Sequence, residues 1–200
     1  MLSVAGQAGA TTILVTAGST TSTLASMVGM TTADFNSGTA PSQFTFTGNA
    51  GVTTGSKPLV YLQPGGDSTS YAYVGPGGSI SETLGAAGVG VNYFGLYWGS
   101  PDAYNSLTFT DTMGNQVVYG AGGIAVPTFT QYQGNAESYV EFNVSGNNWV
   151  SVTWNSFTPA FEFDNVTSGI LATPEPASVG LLGLALIGLG AAFRRRGLTA

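Results

Sequence analysis

Hydrophobic and polar positions alternate with a period of two along most of this chain, in short runs punctuated by glycine, proline, asparagine and aspartate. Residues 43–47, QFTFT, set phenylalanine against polar neighbours as a half-buried strand does. Residues 57–62 (KPLVYL) and 70–74 (SYAYV) predict two more strands, separated by the turn-forming Pro64-Gly65-Gly66-Asp67, and Pro76-Gly77-Gly78 closes the second. Over residues 91–96, Val91, Tyr93 and Gly95 alternate with Asn92, Phe94 and Leu96, so both faces carry bulk and the strand is expected to lie centrally. Gly99-Ser100-Pro101-Asp102 turns the chain into a strand starting at residues 107–110, and Met113-Gly114-Asn115 turns it again into 116–119. Strands follow at 126–132, 139–144 and 149–154, the last two joined by Ser145-Gly146-Asn147-Asn148, a hairpin signal. Trp149 and Trp154 have opposite parity, which predicts opposite faces with one of them in the core. Residues 161–166, FEFDNV, end the series. About ten or eleven short, evenly spaced strands without a soluble helix predict an all-β ectodomain, an antiparallel β-sandwich of jelly-roll type.

The pattern breaks at residue 173. Pro174-Glu175-Pro176 precedes an uncharged run over residues 177–193, which Arg194, Arg195 and Arg196 close. As a helix the run spans roughly 26 Å, just short of a hydrocarbon core of about 30 Å. The two prolines set its upstream end, since each lacks an N–H and biases the preceding residue away from helix. The arginines hold the other end in the cytoplasm, which places the N-terminal part outside. The competing reading, a core helix of a soluble domain, calls for a polar face, and the run offers only Ser178. Its four glycines, Gly180, Gly183, Gly188 and Gly190, weaken a helix in water but are ordinary in membrane helices.

In order, spacing and terminal position, these three blocks resemble the PEP-CTERM sorting signal of bacterial exosortase substrates. The resemblance implies that exosortase, a membrane-embedded cysteine transpeptidase, recognises Pro174, Glu175 and Pro176, cuts at or near them, and releases the ectodomain from the inner membrane to the cell surface or extracellular matrix. Catalysis then belongs to the partner. Residues 31–41 (TTADFNSGTAP), 93–109 (YFGLYWGSPDAYNSLTF) and 159–166 (PAFEFDNV) also resemble a subgroup of such surface proteins, which implies location more than chemistry. The expected organisation is residues 1–30 as a degenerate export signal or a misassigned start, 31–172 as the ectodomain, and 173–200 as the sorting tail. Residues 1–30 contain no lysine or arginine for a signal's basic region, and residues 11–16, TTILVT, read as a strand.

Composition narrows the chemistry. The 200 residues include neither cysteine nor histidine, which removes thiol nucleophiles, disulfides, thiolate metal sites and the commonest general base and zinc ligand. Before residue 173 a single base, Lys57, stands against nine carboxylates, a balance that repels nucleic acid.

Three constellations of side chains remain. Glycoside hydrolysis needs only two carboxyl groups, and Glu137 with Glu141, or Glu162 with Asp164, are the candidates; the second pair is expected to face solvent on a terminal strand. Asp34, Asp164 and Asn165 offer hard oxygens for calcium where the first and last strands meet, or serve turns and caps instead. Tyr97, Trp98 and Tyr104, with Asp102 and Asn105, flank the 99–102 turn and suit sugar contact if exposed, or the sandwich core if not. The expected protein is therefore non-catalytic, without a cofactor, and associated with exopolysaccharide. Its rivals are a permanently anchored lectin and, third, a glycoside hydrolase.

Overall fold

Each alternating run has one face to bury, and two sheets placed face to face bury them together. The computed structural model describes residues 11–22, 24, 29–85, 89–124, 126, 138–144 and 149–171. Among these there are twelve strands and no helix: β1 (Thr11–Ala17), β2 (Met30–Ala33), β3 (Phe44–Thr47), β4 (Ala50–Thr53), β5 (Tyr71–Val74), β6 (Ser79–Thr83), β7 (Tyr93–Trp98), β8 (Asn105–Asp111), β9 (Gln116–Gly120), β10 (Ser138–Val144), β11 (Trp149–Ser156) and β12 (Phe161–Gly169). The expected membrane helix at 177–193 and most of the expected strand at 126–132 lie outside the described residues.

Two antiparallel sheets form a β-sandwich. One runs β1-β10-β7-β12-β5-β4, the other β3-β6-β11-β8-β9. Strands β5 and β2 follow one another along the edge of β12 opposite β7. Strand β7 lies between β10 and β12 with all six residues buried, in agreement with its two bulky faces. Strand β1 pairs with β10 over its full length, so residues 11–17, expected to precede the ectodomain, belong to its sheet.

Three sequence expectations are corrected. Strands β10 and β11 lie in different sheets and do not pair with each other, so the expected hairpin between them does not form. The segment 57–62 is not a strand: Lys57 and Tyr61 exchange backbone hydrogen bonds of 2.9 and 3.1 Å, folding it on itself, and Pro58 has no N–H to offer a ladder. Both tryptophans of β11 are core residues. A bulge sets Trp149 and Ser151 against Asp111 and Thr110, so one extra residue resets the parity and returns Trp149 to the face of Trp154.

Aromatic rings join the layers. Trp154 of β11 stacks on Phe163 of β12 with centroids 4.6 Å apart and Phe109 of β8 meets Phe94 of β7 edge-on at 5.1 Å, while within the five-stranded sheet Trp149 stacks on Phe109 at 4.1 Å. Such pairs add about 0.5–1.5 kcal/mol each beyond their buried area.

Candidate functional site

The seven-stranded sheet buries its outer face as well. There Tyr93, Gly95 and Tyr97 of β7 lie beside Tyr139 and Glu141 of β10 and Glu162 and Asp164 of β12, beneath two loops. From the first loop, Ser22 Oγ donates to Glu141 Oε1 at 3.0 Å and lies 2.5 Å from the Tyr93 hydroxyl, which also donates to Glu141. From the second, the Leu62 N–H donates to Glu162 Oε1 at 2.7 Å and the Gly65 carbonyl accepts from Tyr97. Gly95 makes this possible: a Cβ there would lie 2.6 Å from Tyr139 Cε1 and 3.0 Å from the Tyr93 hydroxyl.

At one margin of this layer is a cleft of about 420 Å³ whose polar lining includes Ser100, Asp102, Tyr104, Tyr61 and Glu162. Ser100 Oγ donates to Glu162 Oε2 at 2.5 Å, so both Glu162 oxygens are held. Burial raises the Glu162 carboxyl above the ordinary range, and these two donors partly offset it. The Tyr104 hydroxyl donates to Asp102 Oδ2 at 2.6 Å and lies 3.2 Å from the Pro159 carbonyl. Burial also raises Asp102, with the Tyr104 bond opposing. Pro58, Leu59 and Val60 supply an apolar wall, and Leu59 stands 94% exposed on it. The arrangement presents the Tyr104 hydroxyl and the Asp102 carboxyl to a ligand beside an apolar rim, as a site for a polyhydroxylated molecule does.

The structure divides the five predicted sugar contacts. Asp102 and Tyr104 line the cleft. Tyr97, Trp98 and Asn105 are buried: Trp98 stacks on Phe161 at 4.1 Å with planes 11° apart, and Asn105 Nδ2 donates to the Ser100 carbonyl at 3.2 Å while its Oδ1 accepts from Ser156 Oγ at 2.8 Å. Those three are scaffold. Glu162 and Asp164 share a face, as expected, but are each 1% exposed on an interior strand, because the 54–70 loop covers the face that the alternation pattern leaves to solvent. Glu141 is committed to Tyr93 and Ser22, and Glu137 lies outside the described residues.

Asp34 and Asp164 do come together, since β2 pairs with β12, but their oxygens already have work. Asp34 Oδ1 accepts from the Asn36 N–H at 3.3 Å, closing a turn, and Asp164 Oδ1 accepts from the Phe35 N–H at 3.2 Å. Asn165 occupies a β12 bulge at φ 47°, a conformation asparagine tolerates, with Nδ2 on the Thr20 carbonyl at 3.0 Å. Among the described residues no three carboxylates converge as metal ligands.

Sequence reasoning missed Asp67 and Glu82. Asp67 Oδ1 caps its loop by accepting from the Thr69 N–H at 2.8 Å, while its buried Oδ2 faces the Asp164 carboxyl and has no ordinary donor. Burial first, and this neighbouring acid next, push Asp164 up to about 7, and the proton it then carries supplies the donor that Asp67 Oδ2 lacks. Glu82 shares the inward parity of Ile80 in SISET, a signal that was present in the alternation itself.

No curated protein has a sequence matching this chain. Among solved structures, similarity extends to the exo-β-1,3-galactanase of Phanerochaete chrysosporium with galactose, at 19% identity and a TM-score of 0.39, over 72% of this chain and 30% of that one. The chain thus spans under a third of that enzyme's length. Residues 172–196, beyond the described sandwich, match the PEP-CTERM protein-sorting motif.

Proposed function

We propose that this is an exported surface or extracellular-matrix protein, a substrate of exosortase whose tail at residues 173–200 anchors it in the inner membrane until it is cut. The observation carrying this reading is the order Pro174-Glu175-Pro176, uncharged run, Arg194-Arg195-Arg196 inside the matched motif. The sandwich ahead of it is the delivered cargo, non-catalytic and associated with exopolysaccharide. Support for a non-catalytic role comes from Glu162, whose two oxygens are both engaged, and from Glu141, bound within the tyrosine layer. The cleft that displays Asp102 and Tyr104 beside exposed Leu59 supports polysaccharide association.

The test is the intact mass of the protein from envelope and medium fractions of its native host, beside a Glu175→Ala variant. The expected result is a wild-type chain ending near residues 173–176 and a variant of full length in the membrane. Arginines retained in both would replace sorting with permanent anchoring, the reading in which the sandwich is a membrane-tethered lectin.

A further inference from the structure

We propose that a second cleft, at the Glu82 end of the sandwich, binds one neutral hexose unit of a polysaccharide, an assignment that rests on the exopolysaccharide association above and gives it a specific site. Ile80 and Glu82 are the inward positions of β6. Ile80 meets the aromatic core, but Glu82 reaches the end of the sandwich, where a strap over residues 89–92 ties the two sheets: Val91 exchanges backbone hydrogen bonds with Trp149 at 2.8 and 2.9 Å, and the Asn92 N–H donates to the Gly169 carbonyl at 3.2 Å. The cleft there measures about 420 Å³, within the roughly 300–1,000 Å³ of small-ligand sites.

Glu82 lines this cleft with 4% exposure, and its Oε2 is buried without a hydrogen-bond partner. A polar group removed from water and left unpaired is costly, and a ligand recovers that cost by supplying the partner. Burial pushes the carboxyl up to about 8, so at neutral pH it carries a proton and both donates and accepts. A sugar hydroxyl has the same dual capacity. The other polar groups on the lining are neutral, among them the Gln43 amide and the Thr83 and Ser168 hydroxyls, while Val89 and Ile170 stand half exposed on the rim to meet an apolar ring face.

Charge selects the class. Among the described residues no lysine or arginine lines the cleft to receive an anion, and Glu82 is the single carboxyl, so a cation would have to ionise a group that its surroundings keep protonated. A neutral polyol asks for neither.

The experiment is calorimetric titration of the full-length protein, in a non-glycosidic detergent, with glucose, galactose, mannose and N-acetylglucosamine, and with cationic glucosamine and anionic glucuronate as controls. At least one neutral sugar is expected to bind. Glu82→Gln keeps a donor and an acceptor and should hold affinity within about threefold, whereas Glu82→Leu removes both and should weaken it at least about tenfold. Gln43→Ala, outside the core, should weaken binding severalfold even if the leucine variant fails to fold. The assignment is overturned by no binding of any neutral sugar, by full binding in Glu82→Leu or Gln43→Ala, or by binding of glucosamine alone that Glu82→Gln abolishes. Retention on the host's exopolysaccharide separates the two readings. Equal retention of wild type and Glu82→Leu removes this site and keeps the association; retention of neither removes the association itself.

Discussion

Phe163 lies flat against Trp154 of the opposite sheet, ring centroids 4.6 Å apart and planes within 4°. Phe35 approaches the same phenylalanine edge-on at 5.7 Å, so one side chain of β12 ties the five-stranded sheet, the central strand and the β2 edge. Phe163→Ala should cost about 3–5 kcal/mol, the range for deleting a buried aromatic side chain. Denaturant unfolding followed by tryptophan fluorescence measures it, and a loss below about 1 kcal/mol would show that the cluster repacks around the gap.

Why both tryptophans of β11 are in the core, where parity left room for one, follows from how alternation works. Parity counting assumes an unbroken pleat, and a single bulge residue after Trp149 inverts it. A different limit misplaced Glu162 and Asp164. Alternation marks them correctly as the face away from Phe161 and Phe163, but it cannot report that the loop carrying Leu62 and Asp67 lies over that face. Strand β7 was read well because bulk on both parities is itself the signal of a doubly covered strand. The cleft was read in part: Asp102 and Tyr104 are local to a recognisable turn, whereas Ser100 and Glu162 meet across 62 residues of sequence. The motif matched at residues 172–196 is linear and needed no fold to be seen.

Gly95 tests the tyrosine layer. Its missing side chain leaves room for Tyr139 and Tyr93, whose hydroxyls hold the Asn165 carbonyl at 3.0 Å and the Glu141 carboxylate at 2.5 Å. A Cβ 2.6 Å from a ring carbon must displace one ring, so Gly95→Ala should destabilise by about 1–3 kcal/mol, as overpacking does. Alanine otherwise favours the folded state over glycine by restricting the unfolded chain. A neutral or stabilising Gly95→Ala in denaturant titration therefore means that the layer yields without strain.

Stability should fall as pH rises from about 5 to 8.5. Asp164 is pushed up to about 7 and Glu82 to about 8, so between the unfolded carboxyl range and those values the native state holds protons that the unfolded chain has released. Raising pH through that window strips them from buried sites. At about 1.36 kcal/mol per pH unit from about pH 5 to its folded value, Asp164 alone contributes up to roughly 3 kcal/mol, several degrees or more in Tm. Asp164→Asn imitates the protonated acid, keeping an acceptor for the Phe35 N–H and a donor toward Asp67, and should flatten much of the slope. A Tm that climbs toward pH 8.5, or an equal slope in the variant, contradicts the buried acid pair.

Leu59 separates strain from use. It stands at φ 62°, a left-handed conformation that costs a side chain bearing a Cβ about 1–2 kcal/mol, and 94% exposure leaves it little packing in return. The turn fixes that conformation through Val60 and Tyr61 N–H groups donating to the Lys57 carbonyl at 3.0 and 3.1 Å. Asparagine tolerates the left-handed region better, so Leu59→Asn should raise unfolding free energy by about 0.5–1 kcal/mol. Stability that stays flat or drops disproves the strain. Because Leu59 also walls the Asp102–Tyr104 cleft, the same variant measured for retention on exopolysaccharide assigns the residue: gained stability with lost retention means that an unfavourable backbone is maintained for an apolar contact with the polymer, and gained stability with full retention leaves the contact to Tyr104 and its neighbours.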